Sequence, residues 1–331
     1  MSTKQHTNRR QAIAAITGFA AAPWAATTAF AQAWPNKPIR LIVPYAAGGG
    51  TDAFARTVAP RMADLLGQQI IVDNRPGAGS AIGATAAATS PGDGYTFLLG
   101  DSATYSVNRS LYPKLTYDSF KDLAPVSLTA RFGLVLAVHP SVPAKNLAEF
   151  VALAKSKPGQ LSYGTPGNGT PHHLAMELLM QRTGISMVQI PYKGAGPAVQ
   201  DLLGGQLQVL MTDLPTAAQH LKAGTVRAIA SLGEKRLAAT PDLATVAESG
   251  YPGFDAWAWQ GFSVPASTPP AVITALNAAY LKVTAEPAIR QKMTEFGSEL
   301  TPGTPAAMDA YMRAEAVKWA KTIQDGKIKV E

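Results

Sequence analysis

The chain has 331 residues, 47% of them hydrophobic and 15% charged, with no cysteine and a formal charge of +7. Without cysteine there is no disulfide, thiolate metal ligand, thiol nucleophile or lipid anchor on an N-terminal cysteine. Basic residues are scattered rather than interleaved with aromatics, which argues against a nucleic-acid groove, and past the N-terminal stretch no run of eighteen apolar residues marks a membrane span.

Residues 1–31 read as an export signal. Arg9-Arg10 precedes a weakly apolar, alanine-rich stretch at 12–26, Ala29-Phe30-Ala31 fits an A-x-A cleavage site, and no acidic residue occurs before Asp52. Asn8-Arg9-Arg10-Gln11 suggests the twin-arginine route to the periplasm. Removing this segment takes away Lys4, Arg9 and Arg10 and leaves 300 residues at +4. That is long for a single core, so two lobes are expected.

Apolar, β-rich runs at 39–43, 69–72, 96–99, 134–138, 187–190, 207–211 and 226–231 alternate with helical patterns. This alternation predicts an α/β fold in which each lobe is a mostly parallel sheet flanked by helices. In the helix expected over 52–66, capped by Thr51 or Asp52, the spacing of Phe54, Val58, Met62 and Leu65 gives one core face, and Pro60 predicts a kink. Thr170-Pro171 and Thr304-Pro305 read as helix starts and Gly184 as a stop. Two crossings between lobes are expected, at 130–138 and at the aromatic run 253–264. The lobes are then residues 32–130 with 253–331, and residues 131–252, the C-terminal helices returning to cover the first.

Enzyme chemistry finds little support. Gly100-Asp101-Ser102 resembles the nucleophile block of some ester hydrolases, but the histidines after the export segment are only His139, His172, His173 and His220, and no G-x-S-x-G elbow occurs. Neither H-E-x-x-H nor a paired-cysteine pattern is present to hold a metal. His172 and His173 are expected on different sides of a helix, one solvated and the other packed near a cleft. Gly77-Ala-Gly79-Ser-Ala-Ile-Gly83 misses the dinucleotide spacing by one residue, and no phosphate P-loop is found, so no cofactor is expected.

Four glycine-rich loops remain: 45–52, 74–80, 164–170 and 192–197, each ahead of a helical pattern. Bare glycine amides at a helix start attract carboxylate or phosphate. Two loops fall in each expected lobe, so a closing hinge brings their amides onto opposite ends of one ligand, with 48–52 facing 164–170.

At these residues the chain resembles the Bug-type substrate-binding proteins of tripartite tricarboxylate transporters. The blocks that carry the resemblance are Trp34-Pro-Asn-Lys-Pro-Ile-Arg-Leu-Ile-Val-Pro-Tyr45 running into Gly48-Gly-Gly-Thr-Asp52, Val72-Asp-Asn-Arg-Pro-Gly-Ala-Gly79, His173-Leu-Ala-Met-Glu177, Pro191-Tyr-Lys-Gly-Ala-Gly-Pro-Ala198, Asp201-Leu-Leu-Gly-Gly205, Glu248-Ser-Gly-Tyr-Pro-Gly253 and Trp259-Gln-Gly-Phe-Ser-Val-Pro-Ala266. The resemblance implies a periplasmic, two-lobed Venus-flytrap receptor, monomeric and not an enzyme, that holds a small carboxylate and presents it to membrane transporter subunits or a sensor. The carboxylate class spans di- and tricarboxylates, amino acids and aromatic acids.

Carried over position by position, the resemblance places Tyr45, Ala47, Gly49, Thr51 and Asp52 at the ligand's outer end, partly through water, with Gly79 and Ser80 beside them. Thr165, Gly167, Asn168, Gly169 and Thr170 hold a carboxylate from the other lobe, joined by Lys193, Gly194 and Ala195. Asp213 lines the cleft, and Ser102, Thr104 and Tyr105 follow another strand end. Two departures from the family pattern are threonine at 165 and 170 where serine is common, and a third glycine, Gly50, beyond the usual pair. Among these loops only Arg75 supplies a guanidinium, so neutral donors are expected to read the carboxylate. Two other readings stay open: an ester hydrolase using Ser102, and a receptor for a neutral amide or heterocycle.

Overall fold

The computed structural model describes residues 34–329; the expected export segment lies outside them. Strands β1 (Ile39–Val43), β2 (Ile70–Asn74) and β3 (Thr96–Asp101) run parallel in the order β2-β1-β3, linked by helices α1 (Gly50–Leu66) and α2 (Ala81–Ala88). Near-continuous aliphatic runs suit strands covered on both faces, and β1 is buried at all positions but Arg40. β9 (Trp257–Pro265) lies antiparallel beside β3, and β4 (Leu123–Val138) lies antiparallel beside β9. The short β10 (Ser298–Leu300) pairs with β4 as well.

The sequence pattern revealed only the second part of β4. Up to Gly133 this strand pairs with β9; from Leu134 onward it pairs with β7 (Val209–Asp213) and β8 (Arg227–Ser231). One strand therefore serves two sheets. Its first part was hidden by Pro125 and by polar Ser127 and Thr129, and the ladder absorbs these with register shifts at 125–127 and 128–130. At the changeover, a side chain on Gly133 would run into Leu237.

The second sheet is completed by β5 (Ser162–Thr165) and β6 (Val188–Pro191) in the order β7-β5-β6, all parallel. Helices α4 (Leu147–Ser156), α5 (Pro171–Thr183), α6 (Ala195–Leu203) and α7 (Leu214–Lys222) connect its strands. Parallel pairing is confined to strands joined by helices, and both sheets turn antiparallel around β4. The C-terminal helices α8 (Pro270–Ala285), α9 (Pro287–Glu295) and α10 (Pro305–Gly326) return to the first sheet. There α10 packs on β4 and on the π-helical segment Ala103–Val107, which leads into α3 (Asn108–Leu111).

Local signals act as their chemistry requires. Thr170 caps α5 by accepting from the His173 N–H, Pro171 follows it, and Gly184 ends the helix in the left-handed region. Thr304 caps α10 in the same way, accepting from Ala307. α1 buries Phe54, Val58 and Met62 and runs unbroken through Pro60, while Leu65 is exposed. Its N-cap is Gly49 rather than Thr51 or Asp52, so it begins three residues earlier than Ala53.

The first sheet's core centres on aromatics. Phe262 of β9 lies 5.2 Å from the rings of both Phe97 and Tyr280, the latter edge-on, and Phe54 completes the group. Removing a buried phenylalanine leaves a void that a rigid sheet cannot close. Phe262→Ala is expected to lose about 3–5 kcal/mol of stability, read as a lower denaturation midpoint in urea.

Candidate functional site

The four glycine loops meet in one cleft, but in a pairing other than the expected one. The β1–α1 loop faces the β6–α6 loop: Ala46 N–H donates to the Lys193 carbonyl at 3.2 Å, and a side chain on Gly49 would touch Ala195. The loop at 164–170 faces the β2–α2 loop instead, where the Asn168 carbonyl fills the space a Gly79 side chain would need. Tyr112, from the end of α3, reaches the same carbonyl at 3.5 Å.

Each of these loops delivers a helix N-terminus to the cleft. α1, α2 and α6 start without a side-chain cap; the Ala81 and Ile82 amides of α2 turn back to the Ala78 and Gly77 carbonyls, while the first-turn amides of α1 and α6 are left free to donate. Their partial positive charge favours an anion. The β2–α2 loop is bent sharply to do this: Gly77, Ala78, Gly79 and Ser80 all have positive φ, and only two of them are glycine. Ala78 and Ser80 are thus strained. The strain sets Ser80 Oγ where it accepts from Thr104 Oγ1 at 2.9 Å and from Asn108 Nδ2 at 3.3 Å.

Beneath the loops lies a cavity of about 20 Å³, enough for roughly one water. Tyr45, Gly49, Gly50, Thr51 and Ala195 wall it above; Asp101, His172, Asp213 and Gln260 furnish its polar lining, with Phe132, Pro166 and Ala258 as apolar wall. A wider groove of about 280 Å³ adjoins it through Tyr45 and Pro166 and takes in Gly79, Ser80, Gly167, Asn168 and Lys193.

Asp213 ties the cavity together. As N-cap of α7, its Oδ1 accepts from Thr216 N–H at 2.9 Å and from the Thr216 hydroxyl at 2.6 Å; its Oδ2 lies 3.2 Å from His172 Nε2. Burial alone raises this carboxyl, but the hydrogen bond and charge of His172, with the Thr216 donors, outweigh it and hold the group below its ordinary value. Asp101, at the end of β3, accepts from Tyr45 Oη at 2.6 Å and from Thr104 N–H at 3.1 Å. There burial wins and pushes the carboxyl up. Burial, followed by the Asp101 charge, also pushes Tyr45 well above the usual tyrosine value.

Five of the expected residues therefore line the cavity: Tyr45, Gly49, Thr51, Ala195 and Asp213. Gly79, Ser80, Gly167, Asn168 and Lys193 line the groove. Ala47, Asp52, Ser102, Thr104, Thr165, Gly169, Thr170 and Gly194 line neither. Asp52 turns away, to Arg56, Asn74 and the Gly48 N–H. Thr165 and Thr170 donate to the Gly167 carbonyl and shape their own loop, and Gly169 N–H donates to His173 Nδ1. Thr104 is occupied by Asp101 and Ser80, and Gly194 packs against Ala46. Ser102 Oγ is fully buried and bonds to nothing, and Tyr105 is core, stacked on Trp259.

Neither His172 nor His173 is solvated: both are buried, one against Asp213 and the other between Gly169 and Glu177. Sequence reasoning missed Asp101 and Gln260 as parts of the cavity, and it placed one of His172 and His173 near a cleft without deciding which. Gln260, a lone amide inside the apolar run of β9, carried a signal that was available.

Comparison with known proteins fixes the family. Residues 54–328 match the model described as "Tripartite tricarboxylate transporter family receptor". The chain belongs to this family. Protein BugT of Bordetella pertussis is 36% identical over 319 residues, covering 96% of this chain and 98% of BugT. Among solved structures, R. palustris Rpa4515 with adipate is 33% identical with a TM-score of 0.87, over 89% of this receptor and 99% of that chain. MatC from Rhodopseudomonas palustris with bound malate is 31% identical with a TM-score of 0.83, over 87% and 99%. The protein is a periplasmic solute-binding receptor with the two-lobed fold of its family. Among its described residues no helix is long and apolar enough to cross a membrane, and no cluster of acidic and histidine side chains could hold a metal.

The third glycine of the first loop now has a reason. A side chain on Gly50 would come within 2.5 Å of Asp213 Oδ1, across the cleft. Gly50→Ala favours α1 itself by about 0.5–1 kcal/mol but cannot close on Asp213. It is expected to give a larger radius of gyration than wild type in small-angle X-ray scattering; an unchanged radius would show that Asp213 yields instead.

Asp52 serves the helix start. Burial raises its carboxyl, but bonds from Arg56, Gly48 N–H and Asn74 bring it below the ordinary value. A depressed folded-state value stabilises the fold above the unfolded value near about 4 and loses that contribution as pH falls through the folded value. Asp52→Asn is expected to lower the melting temperature at neutral pH, with the gap to wild type starting to narrow in thermal melts below about pH 4 and closing only once the pH has fallen through the depressed folded value.

Proposed function

We propose that this receptor captures a small carboxylate between its lobes by backbone amides and hydroxyls and hands it to a tripartite tricarboxylate-type transporter or a sensor. The observation that carries the reading is the convergence of the uncapped N-termini of α1 and α6 on one cleft whose central cavity has no Lys or Arg in its lining. Hydrogen bonds from such amides to a charged acceptor contribute about 1.5–3 kcal/mol each, so three or four of them hold a carboxylate without a fixed counter-ion. Adipate on Rpa4515 and malate on MatC support the ligand class. Lys193 lines the groove, where its ammonium can meet a ligand's outer end.

The lobes are taken as residues 32–130 with 253–331, and residues 131–252, a division supported by the change of partners along β4 at Gly133. We take the receptor to act as a monomer after export of the segment beginning at residue 32. It is read as non-enzymatic because Ser102, the best nucleophile in the sequence, is sealed from the cleft with no base bonded to it.

Thermal shift against a broad panel of carboxylates, with their amides as competitors, tests this reading. A cognate acid at a hundred times its Kd is expected to add about 2.7 kcal/mol of stability. No stabilisation by any acid would overturn the carboxylate assignment, and tighter binding of the amides would favour a neutral ligand.

A further inference from the structure

The peptide joining Asn168 to Gly169 has both of its polar ends occupied. Its carbonyl reaches across the cleft, into the space a Gly79 side chain would need and to 3.5 Å from Tyr112 Oη. Its N–H points the other way, as a trans peptide requires, and donates to His173 Nδ1 at 3.1 Å. One planar group thus runs from α5 to the loops of the first sheet, and whatever turns its N–H also turns its carbonyl.

The loop backbone does not fix that direction by itself. Gly169 has a φ of +73°, and a glycine is about as much at ease at negative φ. The contact with Tyr112 is too long to hold the carbonyl alone, so the bond to His173 is the firmer end.

His173 is itself held from behind. A ring nitrogen that accepts a backbone N–H carries no proton, so Nδ1 is the bare one, and Nε2 lies 3.5 Å from Glu177 Oε1. That oxygen accepts from Tyr163 Oη at 3.0 Å. Tyr163 is a fully buried residue of β5, and burial, followed by the Glu177 charge, pushes its hydroxyl far above the usual tyrosine value, so it stays a donor. The line from Tyr163 through Glu177 and His173 anchors the peptide in the second sheet.

We propose that His173 is a positioning residue: it holds the Asn168–Gly169 peptide by its N–H and so aims the Asn168 carbonyl across the cleft, as one of the contacts on which the lobes close. This goes beyond the carboxylate reading and does not depend on which ligand the cleft takes.

Amide exchange followed by NMR on the nitrogen-15-labelled receptor, without ligand, reads the Gly169 N–H directly, and small-angle X-ray scattering reads closure. Asparagine at 173 places an acceptor oxygen where Nδ1 stands; glutamine extends its amide toward the Nε2 position and leaves no acceptor for Gly169; leucine offers none at all. His173→Gln and His173→Leu are expected to speed exchange at Gly169 about tenfold and to enlarge the radius of gyration, while His173→Asn stays within about twofold of wild type at an unchanged radius. A role in filling space predicts the opposite order, because asparagine is the smallest of the three. A wild-type Gly169 amide that exchanges like an unprotected one, or equal exchange in the Asn and Gln variants, overturns the proposal. Lost protection at an unchanged radius in the Gln and Leu variants confines His173 to its own loop and overturns its part in closure. If His173→Leu fails to fold, the Asn and Gln variants decide between these outcomes, and the wild-type exchange rate stands without any variant.

Discussion

Three helices depend on the Asp213 carboxylate, which caps α7 with one oxygen, orients His172 of α5 with the other, and lies against the bare Gly50 at the start of α1. The charge is buried, and a buried charge is tolerated only where donors surround it. Thr216 and His172 are those donors. The polar end of the cavity is therefore specified from within the second sheet before any ligand arrives. The first sheet contributes by withholding a side chain at Gly50.

Under the proposed function, recognition is divided between two kinds of group. The helix starts offer backbone amides whose positions are fixed by the fold and whose partial charge is set by the helix. The cavity floor offers side chains, so it is the part that sequence change can retune without disturbing the strands. Asp101, His172 and Gln260 come from three different elements, β3, α5 and β9.

Much of the fold was legible in the sequence, for physical reasons. Aliphatic runs such as 39–43 and 207–211 suit strands between helical layers, and Thr170-Pro171 and Thr304-Pro305, each ahead of a helical pattern, supply an N-cap and a first helical residue. β5 and β10 escaped notice because they are short, and the first part of β4 because Pro125, Ser127 and Thr129 interrupt its pattern. The glycine loops pointed correctly to the cleft, but which loop faces which is a matter of how the two sheets are set against each other, and no local pattern encodes that. The same limit hid which of His172 and His173 enters the cavity. The role of His172 depends on Asp213 forty-one residues away, and neither residue alone signals the pair.

The sharing of β4 has a mechanical consequence. Its residues before Gly133 are laced to β9 and β10, and those after it to β7 and β8, so the backbone is held by ladders right up to the changeover. A joint of this kind behaves as a short leaf spring rather than a slack tether. Its bend is concentrated in a peptide or two, its direction is set by the pleat of the strand, and any displacement of the lobes is resisted by the hydrogen bonds on both sides.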